Sequence, residues 1–177
     1  PGVPAIEEDA RRRIKEGGPL AFFYIDIDNF KAYNDNYGYL NGDTAIKCVA
    51  GLLTGMENDF AAEDIFVGHI GGDDFVVMAN PRKTEEMALA IATGFDAMSP
   101  GFYNEADRAR RFIVSKDRSG ETREFPLMTL TIAIATNEKR ALDHYAKIVD
   151  ISSEMKRYMK NLKNRAGSMY LKDRRRD

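Results

Sequence analysis

Apolar residues recur at helical spacing in five stretches of the chain, and each stretch predicts a helix with one apolar face. The first, residues 3–16, is ended by Gly17 and Gly18, and a short second helix, residues 29–38, ends at Gly38. Longer helices are predicted over residues 42–56, 84–98 and 142–164. The predicted core stripes are Ala45, Val49, Leu52 and Met56 in the first of these, and Met87, Ile91, Phe95 and Met98 in the second.

Short apolar runs rich in β-branched and aromatic residues predict the strands. The run LAFFYIDI at residues 20–27 is apolar on both faces until Asp26, so we expect it in the middle of a sheet. The sequence GGDD at positions 71–74 predicts a tight turn between two strands. The remaining predicted strands are residues 64–70 and 75–79 around that turn, two strands within 111–136 around a turn at 117–120, and a closing strand at 167–171.

Hairpins mixed with single crossover helices favour an α+β fold in which helices flank a central sheet. No repeat, linker or shift in composition divides the sequence, so residues 1–177 are predicted to form a single domain. The chain begins at Pro1 without a visible signal peptide, and we expect it to be part of a longer protein.

Composition narrows the classes of function. The formal net charge of −2 argues against a generic nucleic-acid binder, because binding to a phosphate backbone needs a clear cationic excess. No apolar run approaches the roughly 20 residues that cross a bilayer. The single cysteine, Cys48, cannot form an internal disulfide. We therefore expect a cytoplasmic location, either free or as the cytoplasmic part of a membrane-bound sensor.

Carboxylates are the main candidates for chemistry, and they lie at the ends of two predicted strands. Asp26 and Asp28 are two positions apart and share a face if the strand continues that far, while Asp73 and Asp74 lie in the GGDD turn. Burying a carboxylate without a partner is costly, and Mg²⁺ prefers hard oxygen ligands. Carboxylates from neighbouring strands would therefore be stabilised by Mg²⁺, and two such ions about 3.5–4 Å apart can hold the attacking and leaving oxygens of phosphoryl transfer.

Gly71 and Gly72 agree with this hypothesis, because glycine adopts positive φ and lets a phosphate approach the backbone. Each part also has a simpler interpretation. GGDD alone is a common composition for a hairpin turn, and Asp28 alone could cap the helix that follows it. The two acidic segments together favour a site.

Two segments together resemble the GGDEF domain of bacterial diguanylate cyclases: FYIDIDNFKAYNDNYGYLNGD at residues 23–43 and VGHIGGDDF at residues 67–75. LTIAIA at 130–135 and LKNRAGSMYL at 162–171 resemble later parts of the same family. The resemblance implies a mostly antiparallel sheet similar to the palm of nucleotide cyclases and polymerases. It also implies a Mg²⁺- or Mn²⁺-dependent condensation of two GTP into cyclic di-GMP, with release of two pyrophosphates, between two facing domains.

The resemblance implies a role for each residue that matches the family's motifs. The implied metal ligands are Asp26, the carbonyl of Ile27, Asp73 and Asp74, and the implied catalytic residues are Asp73, Asp74 and Lys31. The implied nucleotide-binding residues are Asn29, Phe30, Lys31, Asn34, Asp43, Gly71, Gly72, Lys163 and Arg165. Asn34 and Asp43 match the guanine-reading positions. An aspartate accepts hydrogen bonds from guanine N1–H and N2–H, which adenine lacks, so Asp43 favours GTP over ATP.

Two departures from the family's pattern leave a second function open. The fourth motif position is usually Glu and is here Asp74, which is one methylene shorter. The family's late arginine follows its final glycine, but Ser168 follows Gly167 here and Arg165 would have to substitute for it. One hypothesis is an active diguanylate cyclase, which we favour. The alternative is a catalytically degenerate module that binds GTP and regulates an attached domain.

The resemblance also implies partners. We expect a homodimer in the full-length protein and an upstream sensory or regulatory domain, and no nucleic-acid partner. The segment FAAEDIFVG at 60–68 lacks the arginine of the family's product-inhibition site, so no inhibition through that site is expected. The insertion within residues 104–125 has no predicted role.

Overall fold

The computed structural model describes residues 1–117, 119–162 and 165–176. Over these residues the helices are α1 Val3–Glu16, α2 Phe30–Tyr37, α3 Tyr39–Asp59, α4 Thr84–Met98, α5 Glu105–Arg110 and α6 Tyr145–Lys160. The strands are β1 Ala21–Ile27, β2 Phe66–Gly71, β3 Asp74–Ala79, β4 Phe112–Lys116, β5 Thr122–Pro126, β6 Leu130–Thr136 and β7 Met169–Lys172. Short 3₁₀ turns cover Ala61–Glu63, Pro81–Lys83 and Ser99–Phe102.

Five strands form the main sheet, in the order β2-β3-β1-β6-β7. The first three pairings are antiparallel, and β7 pairs with β6 in parallel. Strand β1 is central, as its continuous apolar sequence predicted, and all seven residues of β6 are buried beside it. The predicted α+β architecture, with a mostly antiparallel sheet and flanking helices, is confirmed.

The sheet separates two apolar clusters, and alternation along β1 divides its side chains between them. Phe23 and Ile25 pack with residues of α2, α3 and α4 on one face. Phe22 packs with residues of α1 and α6 on the other face, where Tyr24 also lies. Because Asp26 follows Tyr24 by two positions, its side chain is on the α6 side of the sheet.

Helix α3 differs from its prediction in its first residue and in which residues face the core. It begins at Tyr39 instead of residue 42, and its buried stripe includes Leu53 instead of Leu52. A stripe with a period of 3.6 residues shifts along a long helix, which brings Leu53 inward and turns Leu52 towards α4. There Leu52 fills the space beside Gly94, where a Cβ would lie 2.8 Å from Leu52 Cδ1. Met98, predicted to be in the core, is only half-buried.

The region 111–136 forms three strands, so the prediction of two was wrong. Strands β4 and β5 make a separate hairpin, and β6 joins the main sheet. Strand β5 ends at Pro126, and the backbone N–H of Leu127 still donates to the carbonyl of Arg111 at 3.4 Å before the chain enters β6. The short helix α5 was also not predicted. Its N-cap, Asn104, accepts a hydrogen bond from the backbone N–H of Asp107.

The GGDD segment forms the predicted tight turn between β2 and β3. The register shifts between His69 and Gly71, and the turn glycines have φ of 139° at Gly71 and 59° at Gly72. Such angles favour glycine, because a Cβ is strained there. His69 braces the turn by stacking on Phe75, and its Nε2–H donates to the carbonyl of Gly72 at 3.0 Å. In the described ranges no helix is long and apolar enough to span a membrane.

Helix α6 ends earlier than the predicted residue 164, at Lys160, and starts later, at Tyr145 instead of residue 142. The segment between α6 and β7 carries Arg165, whose guanidinium donates to the carbonyl of Leu130 at 3.1 Å. This contact places Arg165 beside the end of β1, because β6 is the direct neighbour of that strand.

Candidate nucleotide and metal site

Strand pairing brings the predicted acidic residues to one edge of the sheet. Asp26 near the end of β1 lies directly opposite Asp74 at the start of β3. The backbone N–H of Ile27 donates to the carbonyl of Asp73 at 3.1 Å, which holds the turn against β1. Since antiparallel strands place the end of one beside the start of the next, these carboxylates converge although 48 positions separate Asp26 from Asp74.

Two lysines from α6 reach this acidic pair. Lys156 Nζ is 3.2 Å from Asp26 and 3.3 Å from Asp74, and it also lies 4.4 Å from the centre of the Tyr24 ring. Lys160 forms an ion pair with Asp26, and its Nζ is 3.7 Å from Asp28. The two lysines are four positions apart on α6 and therefore lie on the same face of the helix.

Asp28 is held by a separate set of donors. The hydroxyls of Thr129 and Thr131 donate to its carboxylate at 3.0 and 2.9 Å, and the guanidinium of Arg165 donates at 3.0 Å. Arg165 also donates to the Thr131 hydroxyl at 2.8 Å. Asp28 therefore positions Arg165 at the edge of the site. The helix-capping role that the sequence left open is wrong, because the N-cap of α2 is Asn29 and its end has no side-chain cap.

Burial and crowding set the proton affinity of the acids. Burial raises the pKa of Asp73, and the negative charge of Asp26 raises it further. Burial also raises the pKa of Asp74, although Lys156 partly opposes this effect. Burial alone would lower the pKa of Lys156, but the charges of Asp26 and Asp74 outweigh it and raise that pKa above its usual value. This pattern marks an environment with an excess of negative charge that favours a bound cation.

The donor set fits a hard divalent cation. Asp26 Oδ1 is buried and forms an ion pair with Lys160, so it already faces a cation, and carboxylate oxygens are the ligands that Mg²⁺ prefers. Within the described part of the chain, however, no group of three or more acidic, histidine or cysteine side chains is arranged around one metal position. Mg²⁺ commonly binds through one or two carboxylates together with substrate phosphates, and such a site needs no complete protein cage.

A cavity of about 220 Å³ lies beside the turn after β1. It is lined by Ile27, Asn29, Phe30, Lys31, Ala32, Asp73, Lys116, Asp117, Phe125 and Lys160. Five of the predicted site residues therefore meet here, together with the tip of the β4–β5 hairpin. Asn29 has φ of 62°, and its side-chain amide donates to the carbonyl of Pro126 at 3.2 Å, which ties the turn to the hairpin.

A second cavity, of about 530 Å³, shares Asn29 and Lys160 with the first and continues to Arg165. Together the two cavities form a trough along the carboxylate edge, which we call the edge trough. Lys31, Lys116 and Lys160 line one part of it and Arg165 lines the other. Cations along a trough next to acidic residues are what a triphosphate with a divalent ion requires.

The predicted guanine-reading residues lie at the junction of α2 and α3. Asn34 Oδ1 is buried without a hydrogen-bond partner, and a Cβ at Gly42 would lie 1.8 Å from it. Glycine at position 42 therefore makes room for the Asn34 side chain. Asp43 is the next residue of α3 and is exposed. Gly38, with φ of 84°, joins the two helices and brings these residues to one place.

Some predicted residues are not gathered into the edge trough. Neither Asn34 nor Asp43 lines it, and Asp26 and Asp74 line neither of its two cavities. Gly71 and Gly72 contribute backbone at the exposed turn. Lys163 lies outside the described residues. Lys156 and Lys160 were not predicted as site residues. Both follow buried methionines of the α6 stripe and are four positions apart, a spacing that could have placed them on a shared face.

The sequence profile of the family described as "Diguanylate cyclase, GGDEF domain" matches residues 4–166. Diguanylate cyclase DgcP of Pseudomonas aeruginosa is 37% identical over 94 residues, which are 49% of this chain and 13% of that protein. Diguanylate cyclase DgcZ of Escherichia coli is 29% identical over 92 residues, 51% of this chain and 30% of that protein. The matched segments are thus less than a third of either relative.

Solved structures share the fold. The crystal structure of the GGDEF domain of YfiN (TpbB) from Pseudomonas aeruginosa has a TM-score of 0.67 at 22% identity, and the match covers 96% of this chain and 95% of that one. The GGDEF domain of DgcB from Caulobacter crescentus, solved in complex with c-di-GMP, has a TM-score of 0.63 at 18% identity over 96% of this chain and 87% of that one. The antiparallel sheet with acids at one edge is a nucleotide-cyclase-like domain. The chain belongs to the GGDEF family.

Proposed function

We propose that this domain condenses two GTP into cyclic di-GMP and releases pyrophosphate. One observation carries the proposal: Asp26 and Asp74 face each other in register, and Asp73 beside them opens onto the edge trough that Lys31 and Lys160 line. Phosphoryl transfer depends mainly on positioning and on stabilising charge, and these residues supply both.

The chain's own residues are assigned to parts of the nucleotide. Lys31 and Lys160 bind phosphate oxygens from within the trough, and Arg165 binds them from its far end. The backbone of Asn29 and Phe30 forms the turn that wraps the phosphates. Asn34 and Asp43 read guanine, with the Asp43 carboxylate accepting from N1–H and N2–H.

Asp26, Asp73 and the carbonyl of Ile27 would hold a divalent cation, Mg²⁺ or Mn²⁺. When bound, such an ion neutralises the charge that develops on the phosphates. Asp74 is the second carboxylate at this edge. Its raised pKa keeps it more readily protonated than an ordinary aspartate, which suits a group that shares a proton with the attacking 3′-hydroxyl.

Each domain holds one GTP, so the reaction requires a second copy of the domain facing the first. We propose that residues 1–177 act as one domain of a longer, homodimeric protein with an upstream sensory or regulatory region. GTP as substrate agrees with a cytoplasmic site of action. Gly71 and Gly72 let the phosphates approach the turn, and Lys163, implied by the family's pattern, is retained as a proposed phosphate contact.

A GTP-binding regulatory module without turnover is the second candidate. The observation that favours it is that Lys156 and Lys160 both form ion pairs with Asp26, a residue that catalysis needs for the metal. In such a module the two lysines would keep a metal ion from binding to Asp26. GTP would then regulate the attached domain by binding, without being converted.

The test is a form of the chain dimerised by a fused coiled coil, incubated with GTP and Mg²⁺, with products separated by chromatography. Forced pairing raises the effective concentration of the second domain, so that failure to dimerise cannot mask activity. Cyclic di-GMP and pyrophosphate support the cyclase. Bound GTP without product supports the regulatory module. Asp73→Asn in the same fusion is the matched control and should give no product.

A further inference from the structure

We propose that Lys156 is a built-in cation that takes the place of one divalent ion between Asp26 and Asp74, so that a single metal ion binds at Asp26 and Asp73. The proposal rests on the proposed function, in which a divalent ion assists GTP. It goes beyond that function because it assigns a role to a residue that the family's motifs do not include.

The contacts of Lys156 place its ammonium between the two carboxylates. Its Nζ is 3.2 Å from Asp26 Oδ2 and 3.3 Å from Asp74 Oδ1, so neither acid holds it alone. The Tyr24 ring faces the same ammonium at 4.4 Å and adds a cation–π contact. The side chain of Lys156 is 23% exposed and that of Asp26 is 6% exposed, so water screens this group of charges weakly.

The same oxygens cannot serve the ammonium and a second metal ion at once. Asp26 Oδ2 and Asp74 Oδ1 are both directed at Lys156, so the position between these two oxygens is taken by the ammonium. Asp26 Oδ1 and the Asp73 carboxylate lie outside that position, and we assign them to the metal ion. Asp26 Oδ1 is the oxygen that forms the ion pair with Lys160, so this lysine must move away before a metal ion can bind there. A pair of divalent ions would need two positions among these carboxylates. Because Lys156 occupies the position between Asp26 and Asp74, one position is left for a divalent ion.

Lys160 differs from Lys156 in a way that assigns the two lysines different roles. Lys160 is 40% exposed and is shared between Asp26 and Asp28 across the mouth of the edge trough. It is able to turn towards phosphate and release Asp26 Oδ1 to an incoming ion. Lys156 lines none of the cavities that form the trough, so phosphate does not compete for it.

The decisive experiment measures metal binding without turnover. Mn²⁺ is titrated into the protein at pH 8, and free Mn²⁺ is followed by electron paramagnetic resonance, first without nucleotide. Lys156→Gln is expected to bind Mn²⁺ about tenfold more tightly than the wild type, because a competing positive charge is removed from two of the carboxylates. The exposed Arg157→Gln on the same helix is the matched control for net charge and should leave the affinity unchanged. Equal affinity in the wild type and Lys156→Gln overturns the proposal.

The titration is then repeated with a non-hydrolysable GTP analogue. The wild type is expected to bind one Mn²⁺ per chain and Lys156→Gln two, and two ions in the wild type overturn the proposal without relying on any variant. Lys156→Met, which keeps the aliphatic stem, replaces Lys156→Gln if that variant does not fold. Failure of the analogue to bind at all would count against the proposed function, while the titration without nucleotide still decides the role of Lys156.

Discussion

Arg165 donates a hydrogen bond to Asp28 at 3.0 Å and so joins the segment before the last strand to the end of the central strand. Both side chains are mostly buried, and two threonines share the same carboxylate. A buried ion pair contributes little by itself, but removal of one partner leaves an uncompensated charge. This contact therefore positions a residue of the proposed nucleotide site and also contributes to the stability of the fold.

Asp28→Ala is expected to destabilise the domain by about 2 kcal/mol, because Arg165 and the two threonine hydroxyls lose their acceptor. The free energy of unfolding, measured by urea denaturation, checks this. Lys31→Ala is the comparison, since it breaks the exposed Lys31–Asp35 ion pair, and a change of less than about 0.5 kcal/mol is expected. Equal stability of Asp28→Ala and the wild type would show that Asp28 is not needed to hold Arg165 in place.

The acidic edge predicts a pH dependence of stability with a defined sign. The pKa of Asp73 is raised in the folded state above its ordinary value of 3.8, first by burial and then by Asp26. A raised pKa means that the folded state binds the proton more tightly than the unfolded chain does. The stabilisation from that proton is complete below about pH 3.8 and is lost as pH rises through the raised pKa.

At neutral pH the folded domain has to keep the buried Asp73 ionised, which lowers its stability. Asp73→Asn removes this loss of stability, because asparagine has the shape of the protonated acid and no charge. At pH 7.5 the metal-free variant should be more stable than the metal-free wild type, and the difference should shrink as the pH falls towards 4. Thermal unfolding across that range measures it. Exposed Glu124→Gln on the β4–β5 hairpin, away from any helix end, is the control and should show no such trend. A variant less stable than the wild type at pH 7.5 would show that the charge of Asp73 is compensated in the folded domain.

The sequence predicted the strands and the turn that carry the site better than the contacts of its side chains. The apolar run of β1 and the GGDD turn were enough to predict a central strand and a tight hairpin, because local propensity and turn chemistry agree with the tertiary structure there. The meeting of the acidic residues could also be predicted, since antiparallel pairing brings the end of β1 to the turn. Alternation by two also placed Asp26 and Asp28 on one face, and Lys160 indeed contacts both.

Other parts depended on contacts between distant segments. Lys156 and Lys160 were missed because helical spacing shows that they share a face but not that this face overlies the end of β1. The three strands of region 111–136 were read as two, since only tertiary pairing separates β5 from β6. The position of Arg165 beside Asp28 requires contacts across 137 positions, which no local pattern reports.

Guanine recognition is tested by Asp43→Asn. The amide keeps the size of the side chain but loses its charge and half of its acceptor capacity towards N1–H and N2–H. Affinity for a fluorescent GTP analogue should fall about tenfold, whereas binding of the corresponding ATP analogue, which we expect to be weaker, should change little. Asp59→Asn, at the other end of α3, makes the same change of charge away from Asn34 and should not affect binding. Equal losses for both nucleotides would show that Asp43 does not read the base.

The β4–β5 hairpin is expected to take part in nucleotide binding, a role that the sequence did not predict for this insertion. Lys116 at its tip lines the same cavity as Lys31, Lys160 and Asp73. Asn29 ties the turn after β1, which we propose to wrap the phosphates, to the hairpin's base. An ammonium at that position adds a charge-assisted hydrogen bond to a triphosphate.

Lys116→Ala should therefore weaken GTP binding about tenfold, by the scale for hydrogen bonds to charged groups, without changing the free energy of unfolding. Fluorescence titration with a GTP analogue, at two salt concentrations, provides the measurement. Exposed Lys139→Ala lies outside the cavity and controls for the loss of one positive charge. If both variants lose the same affinity, and the loss disappears at high salt, the contribution of Lys116 is a general attraction of the surface for anions. A loss confined to Lys116→Ala that persists at high salt identifies a direct contact between the hairpin and the nucleotide.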